Sequence, residues 1–443
     1  MFPASTAAPH RALAKRACAD RTAACGGPSR FRKADRPVVL RLPELRRFLL
    51  GLIGPRADAG LAERLTEADW QRIDIIAAQH RLSPHLHGRL ERGELDCAVP
   101  PDTRAGWQKA HRANALAVLS QRRALLEVDA LLRKRGITPV ALKGAWCAWH
   151  AYPAASERPM RDIDLLVGHD RALDAFAILL ENGFRQEAAS ARTPEASLAH
   201  DKHLPPLVSP EGVRFELHMR LWERPEAIGW WMPEGEDAAM LSRATPVDVD
   251  DPVHYLAPDD MLVHFTIHAA LSNRLNGGPL GLIDIDALLA RSAIDWDATW
   301  DRGRSGGWDR ALALILHCVD RWRRPGLLEE SGCPLAIDES LLGMAPDLLL
   351  QDLGQTKTVG LLATLRGALA RDGMSGVLAQ LSDRARGGDR GRFMEDADIA
   401  GAHSSWAVER LIGTVRSAVA RDTRRVAGHS ARLGCWLEGE RSS

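Results

Sequence analysis

The stretch Arg161-Asp162-Ile163-Asp164-Leu165-Leu166-Val167 decides the fold, because it sets two carboxylates into an otherwise apolar run. Its length and composition predict a β-strand that is bounded by charged residues. Side chains two residues apart in a strand point to the same face of the sheet. We therefore expect Asp162 and Asp164 to project together, while Ile163 and Leu165 face the core.

A second short strand is predicted upstream, over residues 137–142, with Lys143-Gly144 as the turn into a helix over residues 145–152. A glycine at such a turn lets backbone N–H groups and a helix N-terminus approach a phosphate closely. Lys143, Arg158 and Arg161 add positive charge in the same neighbourhood. These three residues and Gly144 are the predicted nucleotide-binding residues.

A third strand is predicted over residues 213–218, where Glu216 and His218 share one face by alternation. Neighbouring carboxylates raise one another's pKa unless a cation lies between them, and Mg²⁺ prefers oxygen ligands. If this strand pairs beside the Asp162–Asp164 strand, three carboxylates converge, as two-metal phosphoryl transfer requires. Asp162, Asp164 and Glu216 are thus the predicted catalytic residues and ligands of Mg²⁺ or Mn²⁺.

Together these motifs resemble the polymerase-beta-type nucleotidyltransferase superfamily: Leu142-Lys143-Gly144, Arg158, Asp162-Ile163-Asp164-Leu165-Leu166-Val167 and Glu216-Leu217-His218. They more closely resemble a poorly characterised bacterial nucleotidyltransferase-like family, whose C-terminal half is similar to His264-Phe265-Thr266-Ile267-His268-Ala269-Ala270 and Asp284. The resemblance spans roughly residues 60–300 and implies a nucleotidyltransferase fold that binds Mg²⁺ and a nucleoside triphosphate. Members of that family accompany peptide natural-product or surface-polysaccharide pathways.

The expected reaction moves a nucleotidyl group, most simply adenylyl, from a triphosphate to a hydroxyl acceptor and releases pyrophosphate. The chain departs from the superfamily at Ala145, where a second Gly or a Ser usually follows the glycine. A hydroxyl contact to the triphosphate is therefore missing. Two alternatives stay open on the same fold: a nucleotide-binding scaffold with weak catalysis, and an antitoxin-like partner protein.

The fold class predicted from the whole chain is α+β, with a small mixed β-sheet core flanked by helical regions. The core is placed at residues 105–250, after a helical region at 37–104. A helical substrate-side region follows at 251–335, and a C-terminal helical extension at 336–443. A long helix is predicted over 107–135, with an inward stripe of leucines: Leu116, Leu119, Leu126, Leu131 and Leu132.

Charge and composition limit the partners. The chain has 58 Lys and Arg against 58 Asp and Glu, so its net charge gives no general attraction to nucleic acid or to an anionic membrane. No apolar run approaches the roughly 18–20 residues that span a bilayer. Seven scattered cysteines are typical of reduced thiols in a cytoplasmic protein. Residues 1–36, with eight basic and two acidic side chains, are predicted to be a disordered basic tail.

Four histidines have two interpretations each. His218 contacts the substrate or supports the carboxylates, or it is a structural histidine at a strand end. His203 lies on the acceptor side of the site, or it belongs to an exposed loop. His264 and His268 have the four-residue spacing of a zinc pair, but a third ligand is not evident, so packing or contacts to the nucleotidyltransferase cleft are favoured.

Overall fold

Seven short strands form one mixed sheet in the computed structural model, which describes residues 40–55, 58–187, 192–222, 235–386 and 420–439. Their spatial order is β3-β4-β5-β2-β1-β7-β6. The strands are β1 Val140–Ala141, β2 Ile163–Leu166, β3 Arg185–Gln186, β4 Leu207–Val208, β5 Arg214–His218, β6 Thr245–Pro246 and β7 His254–Tyr255.

The two longest strands, β2 and β5, lie side by side and run parallel. Their register sets Asp164 opposite Glu216 and Leu166 opposite His218. Phe215 and Leu217 alternate with the polar residues of β5 and are fully buried. The adjacency on which the predicted carboxylate cluster depends is therefore present.

Helices surround this sheet. The first group precedes β1: α1 Leu42–Leu52, α2 Ala59–Ala62, α3 Glu67–Gln79, α4 Ser83–Glu91 and α5 Pro101–Arg133. The second lies between strands: α6 Gly144–Trp146, α7 Ala172–Glu181, α8 Pro194–His200 and α9 Glu236–Arg243. The third follows β7: α10 Pro258–Thr266, α11 Leu280–Arg291, α12 Trp296–Gly306, α13 Asp309–Trp322, α14 Leu327–Glu330, α15 Glu339–Leu342, α16 Ala345–Leu349, α17 Thr356–Arg386 and α18 Arg421–Glu438.

Shorter turns complete the path, at Cys147–Ala151, Ala155–Glu157, His169–Arg171, Ile267–Ser272 and Leu353–Gln355. The α+β fold class is confirmed. The sheet continues to β7, beyond residue 250, where the predicted core ends. Among the described residues, one hydrophobic core extends from Leu40 to Leu437, and no helix there is long and apolar enough to cross a membrane.

The predicted inward stripe of α5 is wrong in part, since Leu116 and Leu119 are 74% and 67% exposed. The buried face instead includes two polar residues, Asn114 and Gln121. Their side-chain amides donate to the carbonyl oxygens of Ser156 (2.7 Å) and Met160 (3.1 Å). The prediction considered only apolar residues and therefore did not include Asn114 and Gln121. Their side chains are buried because they bind the backbone of the segment that leads into β2.

A buried ion network joins α1 to the end of the described chain. Arg46 is 1% exposed and donates to Asp347 (3.1 Å) and to Asp422 (2.8 Å). Asp422 lies in the first turn of α18. This network holds α18, which belongs to the predicted C-terminal extension, against α1. The predicted loop at 387–391, the predicted helix at 405–419 and the tail at 1–36 lie outside the described residues.

Candidate active site

The polar edge of β2 and β5 opens into a cleft of about 570 Å³, which is the size of an ordinary small-molecule site. One wall comes from the sheet and its turns, and it carries Asp162, Asp164 and Glu216. The other wall comes from helical segments at three places in the chain: residues 79–81, 273–282 and 349–356.

Asp164 lies at the centre of the sheet wall. Its Oδ2 accepts from Lys143 Nζ at 2.9 Å, and its Oδ1 accepts from His218 Nε2 at 2.9 Å. Burial opposes ionisation, yet the Lys143 ammonium and His218 together hold the pKa of Asp164 well below its ordinary value. The Asp164 carboxylate is therefore charged at neutral pH.

Glu216 lies beside this pair. Ligand atoms of Asp164, Glu216 and His218 all lie within 4.8 Å of one another, and this donor set fits a divalent cation. Burial raises the pKa of Glu216, and the charges of Asp164 and Asp162 raise it further, against the effect of His203. A cation would relieve this crowding of negative charge.

Asp162 lines the same cleft and stands outside the tight three-residue group. Its side chain is 28% exposed, and Arg214 Nη1 lies 3.5 Å from its Oδ2. Arg214 also reaches Glu216 at 3.1 Å, so one guanidinium bridges two of the three predicted carboxylates. Burial and the charge of Asp164 raise the pKa of Asp162.

The predicted phosphate-binding residues all line the cleft, with different surroundings. Lys143 has a left-handed backbone, with φ of 46°. An added Cβ on Gly144 would lie 3.0 Å from Met160 Cγ and 3.2 Å from the Arg158 guanidinium, so a larger residue would require these side chains to shift. Arg161 is exposed, and no acid of the described chain lies within ion-pair distance of it.

Arg158 differs from the other cations because a buried bidentate ion pair holds it away from the three carboxylates of the sheet wall. Its Nε and Nη2 each lie 2.7 Å from a different carboxylate oxygen of Asp284, and Tyr152 Oη donates to the same acid at 2.8 Å. This buried pair joins the turn before β2 to α11. Arg158 thus holds the cleft together, and its charge is balanced by Asp284.

His218 is fully buried, which lowers its pKa to about 4 against the effect of Asp164. A neutral His218 with its proton on Nε2 donates to Asp164 and orients that carboxylate. The alternative tautomer would leave Nε2 free as a nitrogen ligand, with Nδ1 3.4 Å from the Arg220 carbonyl oxygen. The contact with Asp164 supports a role of His218 at the site. Its burial at the end of β5 fits the structural interpretation as well.

His203 lies next to His218, with ring centroids 5.3 Å apart. Its Nδ1 lies 2.9 Å from the Leu204 carbonyl oxygen and donates to it, which leaves Nε2 3.7 Å from Glu216. His203 is partly buried at the cleft and does not belong to an exposed loop. His268 also lines the cleft, and His264 is buried behind it with neither ring nitrogen hydrogen-bonded within the described residues.

Two charged residues escaped the sequence analysis: Arg81, which lines the cleft, and Arg214, which contacts Asp162 and Glu216. Arg214 alternates with Glu216 and His218 on β5, so the same period-two pattern would have found it. Arg81 ends α3, about sixty residues before the first site motif. No local pattern marks Arg81, since only the tertiary fold brings α3 to the cleft.

Comparison with known proteins adds a family. Residues 66–324 match the model of a family described as uncharacterised nucleotidyltransferase. The matched region begins at the N-cap of α3 and ends just after α13, so it includes every strand and both walls of the cleft up to Leu282. No curated protein matches the chain.

Proposed function

We propose that this chain, which belongs to the uncharacterised nucleotidyltransferase family, transfers a nucleoside monophosphate from a nucleoside triphosphate to a hydroxyl acceptor. The supporting observation is the β2–β5 register, which sets Asp164 opposite Glu216 in a cleft of ligand size. In the proposed reaction the acceptor oxygen forms a bond to the α-phosphorus. The bond from the α-phosphorus to the bridging oxygen breaks, and pyrophosphate leaves with that electron pair.

Asp162, Asp164 and Glu216 would hold the divalent ion, Mg²⁺ or Mn²⁺, which when bound would neutralise phosphate charge and favour loss of the acceptor proton. Glu216 faces the same space from β5, so its carboxylate would lie near the departing acceptor proton. His218 keeps Asp164 in one orientation through the 2.9 Å hydrogen bond. Asp162 is the most exposed of the three carboxylates, and Arg214 Nη1 lies 3.5 Å from its Oδ2.

Lys143 and Arg161 are the cations of this wall that we assign to the phosphates. Arg161 has no acid partner in the described chain. Lys143 neutralises Asp164 at 2.9 Å, and an ammonium on a flexible stem can turn from a carboxylate to a phosphate. We assign the acceptor to the helical wall, where Asn273, Asn276 and Thr356 offer uncharged hydrogen-bonding groups to a hydroxyl compound.

The rival function is nucleotide binding without transfer, as in a scaffold or an antitoxin-like partner. Two observations favour it: Ala145 is buried and carries no hydroxyl, and both oxygens of Asp164 already have partners. Against it stand the two further carboxylates, Asp162 and Glu216, whose raised pKa values reflect crowded negative charge beside Asp164. Such crowding is costly in a cleft that binds no cation.

The test uses the full chain, ATP labelled at the α-phosphate, Mg²⁺ or Mn²⁺, and a panel of hydroxyl compounds that includes sugars and peptides. We expect transfer of label with release of pyrophosphate. Asp164→Asn and Glu216→Gln should each lower the rate at least roughly a hundredfold. Asp170→Asn is the matched control, because the Asp170 side chain is 98% exposed.

Binding of ATP without pyrophosphate release would favour the rival. Equal rates in the wild type and Asp164→Asn would overturn the assignment of the carboxylates.

A further inference from the structure

Left-handed backbone at non-glycine residues is concentrated at the cleft. In the part of the chain that the structure describes, four such residues have positive φ: Arg81 (57°), Lys143 (46°), Arg274 (45°) and Leu275 (66°). Arg81, Lys143 and Leu275 line the cleft, and Arg274 is the chain neighbour of Leu275. Strained backbone of this kind is retained where the surrounding structure and function require it.

Arg81 occupies a position where glycine is the usual residue. It follows His80 at the end of α3, and the Leu82 amide donates to the Ala77 carbonyl oxygen at 2.8 Å. That bond is the closing bond of a glycine-type helix end, which needs a left-handed residue. Arg81 therefore occupies a left-handed position that glycine adopts with less strain, and its side chain lines the cleft.

The Arg81 guanidinium has little to bind within the protein. Its Nη1 is 3.5 Å from the Pro159 carbonyl oxygen, and its Nε is buried with no hydrogen-bond partner among the described residues. No acid of that part of the chain lies within ion-pair distance. Burial, together with repulsion from Arg158 and Arg161, lowers the pKa of Arg81 to about 10, so it is still charged at neutral pH.

The positive charges on this side of the cleft do not balance. Arg81, Arg158 and Arg161 all line it, and only Arg158 is matched, by Asp284 at 2.7 Å. Arg81, which is partly buried, and Arg161, which is exposed, both lack an acid within ion-pair distance among the described residues. Planar N–H donors of this kind bind phosphate oxygens in pairs.

We propose that Arg81 and Arg161 together bind a phosphate group, and that Arg81 is a phosphate-binding residue supplied to the cleft by the N-terminal helices. This proposal rests on the proposed function only for the identity of the phosphate group that is bound. That group is the β,γ end of the nucleoside triphosphate or a phosphate on the acceptor, and the two sources share this chemistry.

The test measures binding to the full chain by calorimetry, in EDTA, with inorganic pyrophosphate as the probe. Arg81→Gly removes the side chain and suits the left-handed backbone, so its melting temperature should equal or exceed that of the wild type. Arg81→Asn tolerates the same backbone and serves as the second variant. Each variant, and Arg161→Gln, should bind pyrophosphate roughly tenfold to a hundredfold more weakly.

Arg104→Gln is the matched control, because Arg104 is exposed on α5 and does not line the cleft. It should bind pyrophosphate as the wild type does. Wild-type affinity in Arg81→Gly and Arg81→Asn, or no pyrophosphate binding by the wild type, would overturn the proposal. Because no transfer is measured, the result stands whether or not labelled ATP yields a product.

Two further titrations identify the source of the phosphate. A non-hydrolysable triphosphate analogue that loses affinity in Arg81→Gly places Arg81 on the triphosphate. Inorganic phosphate that still binds, in an Arg81-dependent manner, when the analogue is saturating places Arg81 on the acceptor. Both outcomes support Arg81 as a phosphate-binding residue.

Discussion

Lys143 Nζ lies 2.9 Å from Asp164 Oδ2, so one ammonium already neutralises the carboxylate at the centre of the candidate site. Lys143 and a divalent cation would compete for the same oxygen. The residue that is proposed to meet the phosphates therefore also controls how readily the site accepts a metal ion.

The first prediction follows from this competition. Lys143→Met should bind Mn²⁺ more tightly than the wild type in the absence of nucleotide, by roughly tenfold, or about 1.4 kcal/mol. Its transfer of label from ATP should fall, because the phosphates lose a cation. Direct Mn²⁺ titration checks the first part, with Lys109→Met, an exposed lysine of α5, as control. Weaker Mn²⁺ binding in Lys143→Met would contradict the competition.

The second prediction concerns Asp162. It shares its cleft with Asp164 and Glu216, and repulsion among three carboxylates destabilises the folded state without a cation. Asp162→Asn should therefore melt at the same or a higher temperature than the wild type in EDTA. The same variant should gain less melting temperature from Mn²⁺ plus a triphosphate analogue. An equal gain in both proteins would show that the ligand binds elsewhere.

The third prediction concerns acid stability. His80 is buried and its Nε2 lies 3.0 Å from the Gln351 carbonyl oxygen. Burial, aided by the charges of Arg46, Arg81 and Arg161, lowers its pKa from 6.5 to about 4, against the hydrogen bond. A lowered folded-state pKa means that stability is full above pH 6.5 and falls as pH drops toward 4. His80 alone should account for about 3 kcal/mol of that loss.

Unfolding by urea at several pH values measures this effect. His80→Gln retains a hydrogen-bond donor for the Gln351 carbonyl oxygen. Between pH 6.5 and pH 4 it should lower the slope of the unfolding free energy against pH by up to about 1.4 kcal/mol per pH unit, which corresponds to one proton. His317→Gln is the control, since His317 is partly buried and makes a similar bond, 2.9 Å, to Leu335. An unchanged slope in His80→Gln would rule out His80 as a source of the acid loss.

The fourth prediction concerns the ion network of α18. Arg46→Met removes a buried partner of Asp347 and Asp422, while Arg425 still contacts them at 3.1 and 2.6 Å, so the free energy of unfolding should fall by about 2–3 kcal/mol. Arg41→Met removes an exposed ion pair with Glu44 at 3.9 Å, and should change it by less than about 1 kcal/mol. Similar denaturation midpoints for the two variants would show that Arg46 adds little.

The sequence predicted the part of the site that depends on local spacing. Asp164 and Glu216 lie within strands, where side chains alternate with a period of two wherever the strand lies in the fold, whereas Asp162 immediately precedes β2. Local sequence likewise predicted the turn at Lys143-Gly144 and the strand of Glu216. The strand predicted at 137–142 is shorter in the structure, where β1 is Val140–Ala141 and the Leu142 amide adds one bond to the Asp164 carbonyl oxygen at 3.0 Å.

What the sequence did not reveal depends on partners far apart in the chain. Arg158 matched a phosphate-binding pattern, but its pairing with Asp284 joins residues 126 positions apart. Arg81 belongs to no motif. Strands β3, β4, β6 and β7 are two residues long, which is too short for alternation to register. The prediction that Leu116 and Leu119 face inward was wrong, because hydrophobicity alone does not show that Asn114 and Gln121 are buried by their hydrogen bonds.

The two-wall construction of the cleft has an evolutionary consequence. The carboxylates belong to a hydrogen-bonded strand pair, β2 and β5, whereas residues 273–282 and 349–356 belong to loops and helix ends. Substitutions, insertions or exchanges between relatives at the second wall leave the strand register untouched. On the proposed assignment of the acceptor to the helical wall, such changes would alter the choice of acceptor and leave the carboxylates in place, and chimeras that exchange only this wall would test that separation.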